Sequence, residues 1–154
     1  MWIPWEEDDP VLWHYPGRKS VGYFGAVRLR DGRGFFQKEA GMFDGLTFWR
    51  FLQALRPVSA QPGRRVIVII DNAKYHHAQL HQAWREQQAP DFHLDYLPPY
   101  SPELNPIERV WKRTRRMCVH NVFFATLQAL VERVEQQFLQ WSEPNEELAR
   151  LCAI

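Results

Sequence analysis

The sequence has few of the features that mark specialised protein classes. Its 154 residues contain two cysteines, Cys118 and Cys152, in neither metal-ligand nor CxxC spacing. A disulfide between them is therefore unsupported, and a reducing cytosol is expected. No apolar run approaches the roughly 20 residues that span a membrane. The first ten residues lack the basic start and apolar stretch of a signal peptide.

The sequence also lacks a large excess of charge of one sign, because its net charge is +1. That value excludes a global electrostatic field for nucleic acid. The distribution is uneven, however: "RVWKRTRR", residues 109 to 116, has five basic residues and no acid, whereas "EEDD", residues 6 to 9, is acidic. A local basic stripe is enough to hold a phosphate backbone. Length and a hydrophobic content of 45% are those of one globular domain with one sizeable core.

Hydrophobic periodicity predicts a mixed α/β domain. Prolines at 4, 10 and 16 predict an irregular segment over residues 1–19, and Asp31-Gly32 predicts a hairpin turn. Asp44 is a good N-cap for the first helix. The predicted elements are strand 20–29, strand 34–40, helix 43–55, strand 66–70, helix 77–88, strand 92–97, a helix from residue 106 and helix 126–141.

Two carboxylates stand at positions suited to chemistry. "VIVII", residues 66–70, is apolar throughout, which favours a central strand covered on both faces, and Asp71 follows it directly. Functional groups gather at the carboxyl ends of such strands, although a turn-capping Asp explains the position equally well. Glu108 follows Asn105 in a pattern typical of a capping box. If the two side chains share one sheet edge, they suit a divalent ion such as Mg²⁺.

The segments "VIIDNAKYHH" and "LPPYSPELNPIERVWKRTRR" together resemble the DDE catalytic domain of transposases from the bacterial insertion-sequence branch (insertion sequence 630 type) of the Tc/mariner superfamily. The resemblance implies a ribonuclease-H-like (retroviral-integrase superfamily) fold, a mixed sheet flanked by helices. It also implies DNA cleavage and strand transfer with three carboxylates and two Mg²⁺ or Mn²⁺ ions. Asp71 matches the second carboxylate and Glu108 the third.

The first carboxylate of that pattern has no clear counterpart. In the family it ends the first strand of the sheet, and here no apolar strand ending in Asp precedes Ser20. Asp8 and Asp9 are the acids that remain as substitutes. We therefore expect the first strand to be missing, and the chain alone to be inactive in strand transfer because phosphoryl transfer depends on placing the ions.

Several further residues are candidates for substrate binding. His76 occupies the histidine position of the family's "DNAxxH" pattern, and Asn72 is a turn residue or a contact to the scissile phosphate. His77 and His81 have zinc spacing without a third ligand, so a solvated helix face is favoured. Glu103 is an alternative third carboxylate. The basic residues expected to contact the DNA backbone are Arg109, Lys112, Arg113, Arg115 and Arg116.

These observations predict an irregular segment over 1–19, a partial catalytic core over 20–141 and a tail over 142–154. The expected partners are transposon-end and target DNA, together with a second copy or an upstream transposase half, and no membrane. The expected location is the bacterial cytoplasm, with the nucleoid when DNA is bound. Two alternatives remain open: a ribonuclease-H-like nuclease, and a non-catalytic DNA-binding or dimerisation module.

Overall fold

The structure, a computed structural model, describes residues 11–14 and 19–154, and for Val11–His14 and Lys19 the backbone alone. The chain divides into two compact units: unit 1 comprises Met1–Ala40 and Pro106–Ile154, and unit 2 comprises Gly41–Asn105. The strands and helices are β1 (Val11–His14), β2 (Lys19–Val27), β3 (Gly34–Glu39), α1 (Gly45–Ser59), β4 (Val66–Ile70), α2 (Gln82–Gln88), β5 (Phe92–Tyr96), α3 (Pro106–Thr114), α4 (Leu127–Trp141) and α5 (Glu146–Leu151).

Unit 1 is an antiparallel sheet in the order β1-β2-β3 with helices α3, α4 and α5. Helix α4 has Thr126 as its N-cap, whose hydroxyl accepts from the Ala129 N–H. Its apolar stripe supplies much of the core, and Phe138 stacks on Phe36 of β3 with ring centroids 4.1 Å apart. Burial of such aromatic pairs dominates the energetics of a core of this size.

Close packing in unit 1 requires a glycine at position 25. A Cβ atom there would lie 2.5 Å from the Cη2 atom of Trp111. The Trp111 ring of helix α3 therefore packs directly against the backbone of β2 at Gly25, where a side chain would not fit.

Unit 2 contains the parallel pair β4–β5 and helix α1. Asp44 begins α1 through a capping box: its side chain accepts from the Leu46 and Thr47 N–H groups, and the Thr47 hydroxyl accepts from the Asp44 N–H. The buried face of α1 carries Phe48 and Leu52. The predicted cap and apolar stripe of this helix are confirmed.

The structure corrects the bounds or type of three predicted segments. The irregular segment over 1–19 is wrong for Val11–His14, because pairing with β2, from Val11 opposite Gly22 to His14 opposite Lys19, makes these residues a strand. Residues 142–154 are not simply a tail, because α5 begins at the N-cap Asn145 and buries Leu148. The helix predicted over 77–88 begins as 3₁₀ turns and is α-helical only over Gln82–Gln88.

Strand β4 is not the central, fully covered strand that its sequence predicts. Among the described residues it pairs with β5 alone, in a two-stranded sheet. Ile67 and Ile69 are 56% and 38% exposed. One edge of β4 therefore has no neighbouring strand among the described residues, and Ile67 and Ile69 expose one face of the strand to solvent.

The helices of the described residues include none that is both long and apolar enough to cross a membrane.

Candidate functional site

Asp71 lies at the carboxyl end of β4, where the chain leaves the strand. Its Oδ1 atom accepts a hydrogen bond of 3.0 Å from the Ala73 N–H and lies 2.9 Å from Nδ1 of His76. The same Nδ1 is 3.0 Å from the Asp71 carbonyl oxygen. Since both neighbours are acceptors, Nδ1 carries the proton and His76 holds Asp71 by side chain and backbone together.

The environment keeps the Asp71 carboxyl ionised. Partial burial raises its pKa, but the hydrogen bond from His76, the charge of that ring and the Ala73 N–H together lower the pKa below its ordinary value. The Asp71 side chain remains 43% exposed. Among the described residues, the hydrogen bonds to this carboxylate all end on Oδ1. Oδ2 therefore remains available to an incoming ligand.

Asn72 connects the loops that follow the two strands of unit 2. Its Nδ2 donates to the carbonyl of Leu97, just beyond β5, which fixes the orientation of the amide. Its Oδ1 then accepts from Nε2 of His77 at 2.9 Å. The structure therefore gives Asn72 a role in joining the strand ends, and its predicted contact with the scissile phosphate stays a prediction.

Tyr96 supports the same region from β5. Its hydroxyl donates to the carbonyl of His76 at 3.0 Å and accepts from Arg85 at 2.8 Å. Its ring stacks on His77 with centroids 4.2 Å apart. The segment that carries His76 is thus held at its backbone as well as at its imidazole.

The predicted solvated histidine face is correct for His77 and wrong for His81. His81 is fully buried, and its Nε2 donates to the carbonyl of Tyr75 at 2.9 Å. It lies on a 3₁₀ turn rather than on a regular α-helix, so four-residue spacing does not bring both imidazoles to one surface. Within the described part of the chain, no three histidine, cysteine or acidic side chains form a group suited to a metal ion.

Glu108 lies in the first turn of α3 and is partly buried. A carboxylate at that position is favoured by the partial positive charge of a helix N-terminus. Glu108 belongs to unit 1 and Asp71 to unit 2. The functional pairing of the two therefore stays a prediction.

The five basic residues after Glu108 fall into two groups. Arg109 donates from one guanidinium nitrogen to the carbonyls of Leu151 and Ala153, at 3.1 and 2.9 Å. Arg113, one turn later, donates to Glu147 at 2.8 Å. Both cations therefore fasten the C-terminal helix α5 to α3.

The second group consists of Lys112, Arg115 and Arg116. Among the described residues, no hydrogen bond or ion pair engages these three side chains. Arg115 and Arg116 open the π-helical turn Arg115–Val119 that extends α3. This group is the part of the predicted basic stripe that remains open to an anionic partner.

Several residues that support the site through contacts distant in the sequence were not predicted. Tyr96 and Arg85 support the His76 segment from positions 20 and 9 residues further along the chain. Glu147 forms an ion pair with Arg113 of the basic stripe. It also accepts a hydrogen bond of 3.1 Å from the Trp141 indole N–H. Asn145, followed by two glutamates and a leucine, was the local signal that would have predicted α5.

Comparison with known proteins identifies the family. The sequence profile of the DDE superfamily endonucleases matches residues 2–131. The "Insertion element IS630 uncharacterized 39 kDa protein" of Shigella sonnei is 26% identical over 129 residues, which cover 84% of this chain. The chain spans 37% of the length of that relative.

Two crystal structures share the fold. The catalytic domain of Mos1 mariner transposase aligns with a TM-score of 0.68 at 17% identity, over 94% of this chain and 72% of that one. The Mos1 strand transfer complex aligns with a TM-score of 0.65 at 17% identity, over 99% of this chain and 44% of that one. The mixed α/β fold is ribonuclease-H-like, as predicted. Because the endonuclease profile extends over most of its length, the chain belongs to the DDE superfamily of endonucleases.

Proposed function

We propose that this chain is part of a transposase that cleaves and joins DNA at transposon ends by metal-dependent phosphoryl transfer. Asp71 and Glu108 are its catalytic carboxylates in this proposal. The observation that carries it is the state of Asp71: an ionised, partly exposed carboxylate at the end of a strand, held through one oxygen by His76 and Ala73. Such a group is already fixed in position before a ligand arrives.

The donor chemistry of Asp71 fits a hard divalent ion. Oδ2 is a carboxylate oxygen without a partner among the described residues, and carboxylate oxygens are the ligands that Mg²⁺ and Mn²⁺ prefer. Asp71 and Glu108 would hold the ions. When bound, the ions activate the attacking oxygen and stabilise the leaving oxygen of a phosphodiester. His76 would act as a positioning residue for Asp71, with Asn72 fixing the loop beside it.

We further propose that this chain does not carry out strand transfer alone. The family resemblance calls for three carboxylates and assigns Asp71 and Glu108 to two of them. Asp8 and Asp9, the substitutes within this sequence, lie outside the described residues. An upstream transposase half that brings the remaining carboxylate would then complete the site.

DNA contact would fall to Lys112, Arg115 and Arg116, whose side chains have no partner among the described residues, rather than to all five cations of the stripe. Contacts of this kind bind the backbone, depend on salt and carry no sequence information. A nucleoid location in the bacterial cytoplasm follows from that activity.

The test is cleavage of terminal-repeat DNA in Mg²⁺ by the chain alone and by the chain mixed with an upstream half. We expect no strand transfer alone. We expect activity in the mixture, lost in Asp71→Asn and in Glu108→Gln and kept in the matched control Glu103→Gln, which alters an exposed acid in the 3₁₀ turn Pro102–Leu104 before α3. Cleavage by the chain alone that survives Asp71→Asn would refute the assignment.

A further inference from the structure

The loops that follow β4 and β5 are joined where the two strands end. The Leu97 N–H donates to the Ile70 carbonyl at 2.7 Å, and the Leu97 carbonyl accepts from the Asn72 side chain. Asp71 therefore leaves β4 beside the point at which Leu97 leaves β5. Both loops belong to unit 2. The side chains that they present lie at the edge of the sheet that carries the candidate catalytic carboxylate.

Tyr100, in the loop after β5, is an aromatic residue without a packing partner. It is 101% exposed. Its backbone φ of +57° lies in the left-handed region, which is uncommon for an aromatic residue. Among the described residues, no hydrogen bond or ring contact engages it. Strained backbone of this kind is concentrated at ligand-binding and active sites, so Tyr100 is a candidate for contact with a ligand.

The backbone around Tyr100 is restricted in its conformation. Prolines at positions 98, 99 and 102 fix three of the neighbouring φ angles. The Ser101 hydroxyl donates to the Pro99 carbonyl at 3.3 Å. The ring is therefore presented to solvent by an ordered loop, and such preorganisation reduces the entropy that is lost when a ligand binds.

Lys74 has a similar place in the loop after β4. It is exposed, and no hydrogen bond or ion pair engages its ammonium group among the described residues. It follows Asp71 by three residues, as Tyr100 follows Leu97. Three residues span at most about 11 Å, so both side chains start within that distance of the strand ends. A DNA strand advances about 3.4 Å along its axis per nucleotide, so this distance corresponds to about three nucleotides.

We infer that Lys74 and Tyr100 bind an unpaired segment of the DNA strand that is cut beside Asp71. This inference rests on the proposed function for the identity of the substrate. The Lys74 ammonium contacts a phosphate of the segment, and the Tyr100 ring stacks on one of its bases. An unpaired base suits this ring because it has a free face, whereas a base inside a duplex has a neighbour on each face.

The experiment is fluorescence anisotropy of the full chain in EDTA with two labelled DNA duplexes. One duplex has blunt ends, and the other has single-stranded thymine overhangs at its 3′ ends. Stacking on one base strengthens binding about fivefold or more, so we expect the overhang duplex to bind more tightly by at least that factor. Equal affinity for the two duplexes would overturn the inference.

Variants at position 100 separate stacking from other contacts of the overhang. Tyr100→Leu keeps an apolar side chain without an aromatic face and should lose the preference for the overhang, whereas Tyr100→Phe should keep it. The matched control is Phe123→Ala, which removes another ring, 73% exposed, from unit 1 and should also keep the preference. A preference that persists in Tyr100→Leu would contradict stacking at this position.

The phosphate contact is tested by Lys74→Gln. For the overhang duplex, the slope of log affinity against log salt should become shallower by about 0.7, the value for one phosphate of a single strand. The slope for the blunt duplex should change less. An unaltered slope for the overhang duplex would remove Lys74 from the site. Both Lys74 and Tyr100 are exposed, so urea unfolding of their variants should match that of the parent chain.

The inference and the proposed function fail in different ways. EDTA removes divalent metal, so binding is measured without cleavage. Loss of the overhang preference together with Asp71-dependent cleavage in the mixture would refute the inference alone. A Tyr100-dependent preference in a chain whose mixture does not cleave DNA would keep this contact and refute the proposed cleavage.

Discussion

The two groups of cations on α3 should have separable effects on DNA affinity and on stability. The informative variants are the triple change K112Q/R115Q/R116Q and the double change R109Q/R113Q. The first removes side chains without a partner among the described residues. The second removes the hydrogen bonds that fasten α5.

The magnitudes follow from the contacts. Each phosphate contact contributes about 0.9 to the slope of log affinity against log salt, so loss of three contacts should make the slope shallower by about 2.7. The double change should leave the slope nearly unaltered. It should cost about 1–2 kcal/mol of unfolding free energy, since it deletes hydrogen bonds that are largely exposed to solvent.

The assays are fluorescence anisotropy with a labelled DNA duplex at several salt concentrations and urea unfolding of the same proteins. If R109Q/R113Q flattens the salt dependence as much as the triple change, both groups contact DNA and the division is wrong. An unchanged slope in K112Q/R115Q/R116Q would place the DNA interface elsewhere.

Three further predictions concern stability. Burial, together with the charges of Arg85 and neighbouring histidines, lowers the pKa of His81, so the unfolded chain binds the proton more readily and stability should fall as pH drops below about 6.5; His81→Gln should flatten that part of a pH series of urea melts. Leu148→Ala should cost about 2–5 kcal/mol in urea unfolding if α5 belongs to the core, and an unchanged midpoint would show a loose tail. Tyr96→Phe should cost about 1–3 kcal/mol because Arg85 and the His76 carbonyl lose their shared partner, and a neutral result in thermal melts would deny that support.

Elements with strong local signals were predictable. Helix α4 follows from the apolar spacing of Leu127 to Trp141 with a threonine before it, and α1 from Asp44 and its apolar stripe. Strand β1 was missed because its four residues are a strand only by pairing with β2. Such pairing is a tertiary effect that short-range propensity does not contain.

The candidate site was also predictable only where its residues are close together in the sequence. Asp71 and His76 are five residues apart, so a local motif places the imidazole near the carboxylate, and the structure brings their side chains together. No local pattern predicts which basic side chains between Arg109 and Arg116 have a partner. Arg113 finds Glu147 34 residues away, and charge spacing alone does not distinguish a cation that fastens a helix from one that is open.

The order of the two units along the chain has a consequence for synthesis on the ribosome. Unit 2 is continuous from Gly41 to Asn105, whereas unit 1 joins Met1–Ala40 to Pro106–Ile154. Unit 2 can complete its contacts as it emerges, but β2 and β3 must wait for α3 and α4, which cover Tyr23 and Phe36. At about 5–20 residues per second that delay lasts several seconds. During this interval an aromatic sheet face is exposed, so binding by a holdase chaperone should be strongest on ribosome-bound chains that end between unit 2 and α4.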